Sequence, residues 1–469
     1  MRIQFCGAAR EVTGSAHLIT LDDGFTMLLD CGLFQGKSEK MEDFNTTWRF
    51  DPAAVDCVIL SHAHIDHTGK LPKLVKDGFR NTIYATHATR SLCAIMLLDA
   101  AKIQEKDAEY FNKKQLKKKP RDREPFLNPL YSSEDVEETM KLFVTFGYDR
   151  WFEIHPNVKV MYKDAGHILG SAGIILEISE NGRTFRVAFT GDVGRPDRPI
   201  LRDPQPLPEA DYVISESTYG DRDHEEKPAE IDHFLRIIHN TCVEKRGKLI
   251  IPAFSVGRTQ EIVYILDQLE SAGRLPKIPV YVDSPLSVNA TQVFGSHPEC
   301  FDNQLNEYLL TDKDPFGFNS LHYITDVQES IALNNSEDPC IIISSSGMAN
   351  AGRVQHHIRN NVENPRNTIL MVGYCAPGTL GAYLRDGAQV VKIFGEWKQV
   401  HAEVAVMDSF SAHADRHELA GFLSNQRASA KVVFLVHGEI EAQKAFRGLL
   451  LGQGFRDVVI PELGDAFEV

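Results

Sequence analysis

The chain has 469 residues, too many for one simple hydrophobic core, and this length predicts roughly two to three domains. Its residues are 43% hydrophobic and 25% charged, the balance of an ordinary soluble globular protein. The formal net charge of −15 argues against a protein that coats nucleic acid through bulk charge. A local basic groove or metal-mediated phosphate binding is still compatible with this charge.

The eight cysteines are scattered, and no Cys-x-x-Cys motif occurs among them. Most lie in apolar stretches, which predicts reduced thiols in the core of a cytoplasmic protein. The amino-terminal segment 1–7 reads directly as a strand, and we expect no signal peptide. No apolar run in the sequence approaches the length needed to span a bilayer, so we expect no membrane partner.

The first part of the chain has the short apolar runs and turn residues of a β-rich layer. Strands are predicted at 17–20, 25–29, 55–60, 82–84, 158–161, 173–178 and 185–189. Helical periodicity predicts helices at 89–111 and 133–143.

Between these two helices, segment 113–123 carries a run of basic residues with one acid, Asp122. The basic residues are Lys113, Lys114, Lys117, Lys118, Lys119, Arg121 and Arg123. Such a run is typical of a solvated loop, and a nucleic-acid contact is the alternative.

The sequence changes character after a proline-rich break that contains Pro199, Pro204, Pro206 and Pro208. Beyond it, strands predicted at 248–252, 279–282, 340–344 and 368–373 alternate with helices predicted at 259–269, 287–294 and 353–362. This order predicts a parallel sheet covered on both faces. The tail returns to a strand at 431–436, so we interpret the α/β unit as an insertion into one discontinuous domain. The predicted boundaries are 1–207 and 394–469 for that domain and 208–393 for the insertion.

Segment 61–67, Ser-His-Ala-His-Ile-Asp-His, carries the strongest chemical signal in the chain. In an extended turn His62 and His64 can face one point, and Asp66 and His67 can serve a second point nearby. Imidazole suits zinc, and a carboxylate beside it suits a second ion or a bridging water. The alternative is a solvated turn, but polar groups this dense at a strand end are costly to hold without a partner.

Four further strand ends carry polar residues of the same kind, namely Asp30, His167, Asp192 and His437. Each residue alone is more often structural than catalytic. Together with segment 61–67 they supply enough suitable ligands for a dinuclear metal site. The glycines beside them allow the backbone to approach a metal closely.

These motifs resemble the metallo-β-lactamase superfamily, whose signature is H-x-H-x-D-H with a later His and a later Asp. The resemblance extends to the β-CASP branch of nucleic-acid-processing nucleases through segments 215–219 (SESTY), 411–415 (SAHAD) and 436–439 (VHGE). Segments 252–261, 283–285, 344–353 and 373–378 match the inserted domain of that branch. The resemblance covers essentially the whole chain. It implies an α/β fold in which a metallo-β-lactamase αββα sandwich is interrupted by a parallel-sheet β-CASP domain.

The resemblance also assigns roles to individual residues. Seven would bind two zinc ions: His62, His64 and His167 one ion, Asp66, His67 and His437 the other, and Asp192 both. Asp30 would orient these ligands. A hydroxide held by the ions would attack a phosphodiester phosphorus, with Asp66 and Asp192 among the catalytic residues. His413, kept in the right tautomer by Glu216, would donate a proton to the leaving ribose oxygen.

The inserted domain would bind the RNA strand. The expected contacts are Ser255, Gly257, Arg258, Ser345, Gly347, Arg353, Tyr374 and Gly378. The first three lie at a predicted helix start, where free backbone N–H groups favour a phosphate. A simple strand-to-helix turn is the alternative for each loop, and the arginine in two of the loops favours phosphate.

We therefore expect a zinc-dependent ribonuclease that acts on single-stranded RNA, as an endonuclease, a 5′-to-3′ exonuclease or both, with a homodimer allowed. It resembles the compact prokaryotic type, similar to the endonuclease subunit of pre-mRNA 3′-end cleavage. A DNA nuclease of the same superfamily is one alternative, although its interstrand-repair members tend to carry Val at the position of His437. A small-molecule hydrolase would lack the inserted domain and the SAHAD motif. An inactive scaffold paralogue would have lost ligands, and none is lost here.

Overall fold

The computed structural model describes residues 1–35, 40–119, 124–224, 230–373, 375, 378–407 and 412–469. The chain divides into two compact units. The sandwich unit contains Met1–Arg198, Arg202–Asp223 and His413–Val469, and the insert unit contains Pro199–Leu201 and His224–Ala412. The chain leaves the sandwich unit and later returns to it, so the prediction of an α/β fold with an inserted domain is confirmed.

Two seven-stranded sheets form the centre of the sandwich unit. In spatial order the first contains β22 (Ala466–Glu468), β1 (Arg2–Phe5), β2 (His17–Thr20), β3 (Thr26–Leu29), β4 (Cys57–Ile59), β5 (Thr82–Ala85) and β6 (Phe143–Thr145). The second contains β21 (Val458–Val459), β20 (Val432–Leu435), β11 (Tyr212–Ser215), β10 (Arg183–Phe189), β9 (Ala172–Glu180), β8 (Val158–Asp164) and β7 (Phe152–His155).

The helices of the sandwich unit are α1 (Lys40–Thr46), α2 (Ile65–Thr68), α3 (Leu71–Lys76), α4 (His87–Leu116), α5 (Ser133–Met140), α13 (Arg416–Phe422) and α14 (Ile440–Gly452). The inner faces of the two sheets share one core, with Ile19 from the first sheet and Ile174 from the second. The next residue of β9, Ile175, points to the opposite face and packs with Leu419 and Phe446 of α13 and α14. This alternation is the period of two expected for a strand buried on both faces.

Helix α4 is longer than predicted and contains the first part of the basic run. It continues to Leu116, so Lys113 and Lys114 lie in its last turn rather than in a loop. The cause is that segment 112–119 consists largely of good helix formers, and no strong helix breaker occurs before Pro120. Arg121, Asp122 and Arg123 lie outside the described residues.

The insert unit contains a six-stranded sheet that is parallel throughout, as predicted. In spatial order its strands are β14 (Leu321–Ile324), β13 (Val280–Asp283), β15 (Cys340–Ser344), β12 (Lys248–Pro252), β16 (Thr368–Val372) and β19 (Glu403–Met407). Its helices are α6 (Glu230–Ile238), α7 (Arg258–Ser271), α8 (Pro285–Gly295), α9 (Asn303–Tyr308), α10 (Val327–Asn335), α11 (Arg353–Asn361) and α12 (Leu380–Arg385). A π-helix, His239–Glu244, continues α6, and β17 (Val390–Ile393) pairs with β18 (Glu396–Gln399) as a separate hairpin.

The division of the chain differs from the predicted boundaries at 207/208 and 393/394. Strand β11 pairs with β10 and β20, so the chain up to Asp223 belongs to the sandwich unit. Strand β19 pairs with β16, which extends the insert unit to Ala412. In both places the strand that follows a predicted boundary pairs with the unit before that boundary.

The eight cysteine thiols are all buried and free of disulfide bonds. Within the described part of the chain, no helix has both the length and the apolar character required to cross a bilayer.

Candidate metal centre

The polar residues predicted as ligands follow neighbouring strands of the two sheets in the sandwich unit. Asp30 follows β3 and segment 61–67 follows β4, and these strands are parallel neighbours. Asp192 and His437 follow β10 and β20, which lie on either side of β11. Because carboxyl ends of parallel strands share one edge of a sheet, these side chains are brought together.

Four donor atoms form the first cluster. His64 Nδ1 lies 3.0 Å from His62 Nε2 and 3.3 Å from His167 Nε2. Asp192 Oδ2 lies 3.6 Å from each of those two Nε2 atoms. Ligands about 2.0–2.1 Å from a tetrahedral zinc ion lie roughly 3.3–3.4 Å from one another. The four atoms therefore have the spacing of one tetrahedral site.

The second cluster lies on the other side of Asp192. His437 Nε2 is 3.2 Å from His67 Nε2 and 3.4 Å from Asp66 Oδ2. The second oxygen of Asp192, Oδ1, is 3.4 Å from His67 Nε2. Asp192 thus presents one carboxylate oxygen to each cluster, as expected of a bridging ligand.

The donor set fits a divalent metal ion such as zinc. Asp192 is 2% exposed, and its Oδ1 accepts no hydrogen bond from any described residue. A buried carboxylate oxygen without a donor is unfavourable, and a cation beside it removes that penalty. Imidazole nitrogen and carboxylate oxygen are both ordinary zinc ligands.

Burial keeps the imidazoles of the first cluster in the neutral form that binds metals. It lowers the pKa of His64 to about 4, although Asp66 and Asp192 oppose the shift. Burial, reinforced by neighbouring histidines, lowers the pKa of His62 and of His167 well below the usual value. Since a metal ligand must offer a free lone pair, these rings are prepared for coordination.

In the second cluster, nearby carboxylates rather than burial determine the direction of the His67 pKa shift. Burial alone would lower the pKa of His67, but Asp192, Asp30 and Asp66 raise it well above the usual value. Conversely, burial would raise the pKa of Asp66, and the neighbouring His67 and His437 lower it instead. A cation at this position would replace the proton on His67.

Asp30 contacts the ring nitrogen of His67 that faces away from the cluster, and its role in orienting the ligands stays a prediction. Its Oδ2 lies 2.7 Å from His67 Nδ1 and accepts a hydrogen bond of 2.8 Å from Ser61 Oγ. A carboxylate on Nδ1 fixes the tautomer whose Nε2 faces the cluster. Asp30 adopts a φ of 58°, which is uncommon outside glycine and frequent at functional sites.

Two hydroxyl groups that sequence reasoning did not single out support other ligands. Ser171 Oγ accepts hydrogen bonds from the backbone N–H groups of His167 (3.0 Å) and Ile168 (3.3 Å). Thr218 Oγ1 lies 3.0 Å from His437 Nδ1. Thr218 lies in the quoted segment 215–219 and Ser171 lies four residues after His167, but a hydroxyl in a turn has no signature of its own.

His413 and Glu216 lie together beside Asp192. His413 Nδ1 is 3.3 Å from Glu216 Oε1 and 3.9 Å from Asp192 Oδ2. Glu216 Oε1 also accepts a hydrogen bond from Val193 N (2.6 Å), which fixes the carboxylate. Burial would lower the pKa of His413, but Glu216, Asp192 and Asp66 raise it to about 9. These carboxylates favour the protonated imidazole, and 21% of the His413 side chain is exposed.

The predicted RNA-contact residues lie in the insert unit, in loops that follow adjacent strands. Ser255 follows β12 and Ser345 follows β15, and a third hydroxyl, Ser284, follows β13. Ser284 Oγ lies 2.7 Å from Ser345 Oγ and 3.5 Å from Ser255 Oγ. Sequence reasoning missed Ser284, although it lies in the quoted segment 283–285.

The two arginines of these loops are held by carboxylates. Arg353 Nη1 donates to Asp283 Oδ1 (2.6 Å), and Arg258 donates to Glu261. Carboxylates thus hold both guanidinium groups at these loops, and the expected phosphate contact of the two arginines stays a prediction.

The predicted glycine contacts lie in turns of the same unit. Gly257 and Gly378 have φ values of 82° and 78°, which favour glycine. At Gly347 an added Cβ would lie 2.8 Å from the ring of Phe254, so the loop packs closely there. Tyr374 and the Ser411 of the SAHAD motif lie outside the described residues.

Three family models match the chain. They are the metallo-beta-lactamase superfamily at residues 9–144, the Beta-Casp domain at 259–384, and the Zn-dependent metallo-hydrolase RNA specificity domain at 397–461.

Similar proteins extend the match over the full length. Ribonuclease TTHA0252 of Thermus thermophilus is 37% identical over 469 residues, which cover 100% of both chains. Transcription termination factor FttA of Methanosarcina mazei is 32% identical over 454 residues, which cover 94% of this chain and 67% of its own. The FttA of Pyrococcus horikoshii is 31% identical over 458 residues, covering 94% and 66%. The chain therefore belongs to the metallo-β-lactamase superfamily, in its β-CASP branch of RNA-processing nucleases.

Proposed function

We propose that this protein is a zinc-dependent ribonuclease that hydrolyses RNA phosphodiesters, as an endonuclease, a 5′-to-3′ exonuclease or both. The observation that carries the proposal is the pair of histidine-aspartate clusters joined by Asp192, with His413 and Glu216 beside them. The RNA specificity domain and the ribonuclease relative support RNA as the substrate.

Two zinc ions per chain are part of the proposal. The first would be held by His62, His64 and His167, the second by Asp66, His67 and His437, and Asp192 would contact both. Ions bound there supply Lewis acidity and lower the pKa of water to about 7. Asp192 sets the spacing of the two clusters, and Asp30 holds His67 in the ligating tautomer.

His413 supplies the proton that the leaving ribose oxygen needs. Glu216 lies against Nδ1 and raises the pKa of His413, which favours the protonated imidazole and leaves Nε2 as the donor toward the substrate. Glu216 is itself fixed by Val193 N, so the donor has a defined direction. This arrangement meets the geometric requirement for general acid catalysis.

The insert unit would bind the sugar-phosphate backbone of single-stranded RNA. The hydroxyls of Ser255, Ser284 and Ser345 lie at the carboxyl edge of a parallel sheet, where α/β proteins bind phosphate-containing ligands. Hydroxyl groups donate to phosphate oxygens without reading base identity. Gly347 and Gly378 would allow the backbone of the RNA to approach the loops.

Metal analysis and substrate comparison test the proposal. Gently purified protein should contain close to two zinc ions per chain and should cleave single-stranded RNA faster than single-stranded or duplex DNA. A zinc content near zero with full activity would contradict the metal assignment. Fastest turnover of a chromogenic β-lactam or a thioester would instead favour a small-molecule hydrolase.

The mode of cleavage is tested separately. One RNA, labelled at either end and prepared with a 5′-hydroxyl, monophosphate or triphosphate, should give internal fragments if the enzyme is an endonuclease. Successive loss of 5′ nucleotides, with a dependence on the 5′ group, indicates an exonuclease.

A further inference from the structure

The carboxyl-terminal end of α4 carries a concentration of positive charge that the metal centre does not use. Segment 113–119 contains five lysines and no acid, in a chain whose net charge is −15. Lys113 pairs with Glu109 and Lys118 with Glu124. The side chains of Lys114, Lys117 and Lys119 are exposed and form no ion pair with any described residue.

Exposed aromatic and apolar side chains accompany these lysines. Tyr110 is 73% exposed and Phe126 is 57% exposed. Tyr110 and Lys114 are four residues apart on α4, so their side chains lie on one face of the helix. Lysines beside exposed aromatic rings are the arrangement by which proteins bind single-stranded nucleic acid, through phosphate contacts and base stacking.

This surface is held in place before any ligand binds. Asn112 donates to Leu127 O (2.9 Å) and accepts from Leu127 N (2.8 Å), which ties segment 124–127 to α4. Glu124 N donates to Gln115 Oε1 (3.2 Å) one turn further along the helix. The aromatic and basic groups are therefore preorganised, which reduces the entropy lost on binding.

Helix α4 also connects this surface to the metal centre. At its amino-terminal end, Thr86 Oγ1 and Thr89 Oγ1 both donate to Gly170 O (2.7 and 2.8 Å), in the loop that carries His167. The helix has 30 residues, which corresponds to a length of about 45 Å. A stacked strand advances about 3.4 Å per nucleotide, so spanning that distance requires on the order of ten nucleotides.

We propose that Tyr110, Lys114, Lys117, Lys119 and Phe126 form a second RNA-binding surface, the α4 exosite. It binds single-stranded RNA on the order of ten nucleotides from the scissile phosphate. The inference rests on the proposed ribonuclease function. It extends that function, because an RNA long enough to reach the α4 exosite would bind with higher affinity than a short one. Charge complementarity selects RNA as the occupant, since the surface is positive on an otherwise acidic protein.

Neutralising three lysines tests the charge contribution. The variant Lys114→Gln/Lys117→Gln/Lys119→Gln keeps good helix formers in place. The matched control, Lys141→Gln/Lys159→Gln/Lys444→Gln, removes the same charge from other exposed positions of the sandwich unit. Each protein is assayed with one RNA of about 30 nucleotides, which reaches both sites, and one of about 6, which does not.

The exosite variant should show a KM for the long RNA raised about tenfold, with kcat unchanged and the short RNA unaffected. The slope of log(kcat/KM) against log salt should fall in magnitude by about 2, the value for three lost phosphate contacts on a single strand. The control should behave as wild type in both measurements. An equal change for both RNAs, or none for either, overturns the exosite.

Tyr110 tests the stacking contribution. Tyr110→Ala should raise KM for the long RNA about fivefold or more, and Tyr110→Phe should restore it because the ring face is retained. A change of molar mass in light scattering on Tyr110→Ala would instead make this face an interface between copies of the chain and overturn the proposal. If wild-type protein cleaves neither RNA, the proposed function itself fails, a result distinct from an exosite that fails alone.

Discussion

At Asp192 two carboxylate oxygens face different groups of imidazoles, so this residue offers one oxygen to each cluster. His413 and Glu216 contact Asp192 from a third side without being needed to complete either cluster. Substitutions at these positions should therefore separate metal assembly from proton delivery.

We expect His413→Ala to retain its zinc and to lose roughly 10²–10⁴ of the cleavage rate, the usual effect of removing a general acid. The defect should shrink with an activated aryl phosphodiester, whose leaving group needs no proton. Asp192→Ala should lose metal and activity on every substrate. Zinc analysis and single-turnover kinetics on both substrates provide the measurements. A folded His413→Ala protein that cleaves RNA at near wild-type rate would reduce the His413–Glu216 contact to a structural role.

The clustering of the candidate ligands could be predicted from the sequence because histidine and aspartate are dense in segment 61–67. Their hydroxyl partners could not. Ser171 and Thr218 act through hydrogen bonds that form only in the folded chain, and serine and threonine are ordinary turn residues.

The loop between β8 and β9 shows how an element fixes a ligand. Ser171 Oγ accepts two backbone hydrogen bonds from this loop, and Asp164 Oδ1 accepts a third from Gly166 N (3.0 Å). Gly194 lies so close that an added Cβ would be 1.9 Å from Gly166 O. This loop thus holds the backbone of His167 in place.

We expect Ser171→Ala to weaken zinc binding about 10–100-fold, the usual effect of removing a group that supports a ligand. Unfolding free energy should fall by about 1–2 kcal/mol, because two buried N–H groups lose their acceptor. Competition with a fluorescent chelator measures the affinity. Ser179→Ala, which removes an exposed hydroxyl pair with Thr184 in the neighbouring β9–β10 hairpin, is the control. Equal effects of the two substitutions would contradict the role of Ser171 in supporting His167.

Helix α7 carries a carboxyl group that should make the insert unit sensitive to pH. Asp267 is 1% exposed, and Tyr308 Oη donates to its Oδ2 (2.7 Å). Burial, together with Asp312, Asp314 and Glu270, raises the pKa of Asp267 to about 6, although the Tyr308 hydrogen bond opposes the shift. The pKa of Asp267 is thus higher in the folded protein than in the unfolded chain. Its contribution to the free energy of unfolding is therefore complete below the unfolded pKa and is lost as the pH rises through about 6.

Asp267→Asn should remove this pH dependence of the unfolding free energy. The amide oxygen still accepts a hydrogen bond from Tyr308, and the amide carries no charge at any pH. We expect the variant to be more stable than wild type by about 2 kcal/mol at pH 8, with the difference roughly halved at pH 5. Urea unfolding of both proteins at each pH measures it. A difference that does not change with pH would show that the carboxyl group titrates normally.

Element types were predictable where apolar periodicity was strong, as in β12 and β15, whose bounds match the prediction at 248–252 and 340–344. The carboxylate partners of Arg258 and Arg353 were not predictable, because they come together only in the folded chain. Asp283, which holds Arg353, is 70 residues away in sequence. The sequence around a glycine-rich loop does not show whether an arginine in that loop forms an ion pair with a carboxylate from elsewhere in the chain.

For the whole molecule, the insertion was predictable from two features: the proline-rich break and the return of the tail to the pattern of the first region. The boundaries were not, because β11 and β19 are short strands whose partners decide their unit. Every proposed zinc ligand lies in the sandwich unit, and the proposed serine contacts with RNA all lie in the insert unit. The two proposed functions thus depend on different compact units of one chain.

This separation predicts a local response to metal removal. A ligand that binds only the folded state stabilises the unit that holds it, so chelation should destabilise the sandwich unit selectively. In hydrogen exchange followed by mass spectrometry, a strong chelator should reduce protection in peptides from β4, β10 and β20, which precede the ligands. Peptides from β12, β13 and β15 of the insert unit should keep their protection. Asp192→Ala without chelator should reproduce the pattern, and adding the chelator to this variant should change nothing further. Equal loss of protection in both units would contradict the prediction, because the metal sites would then stabilise the chain as one cooperative unit.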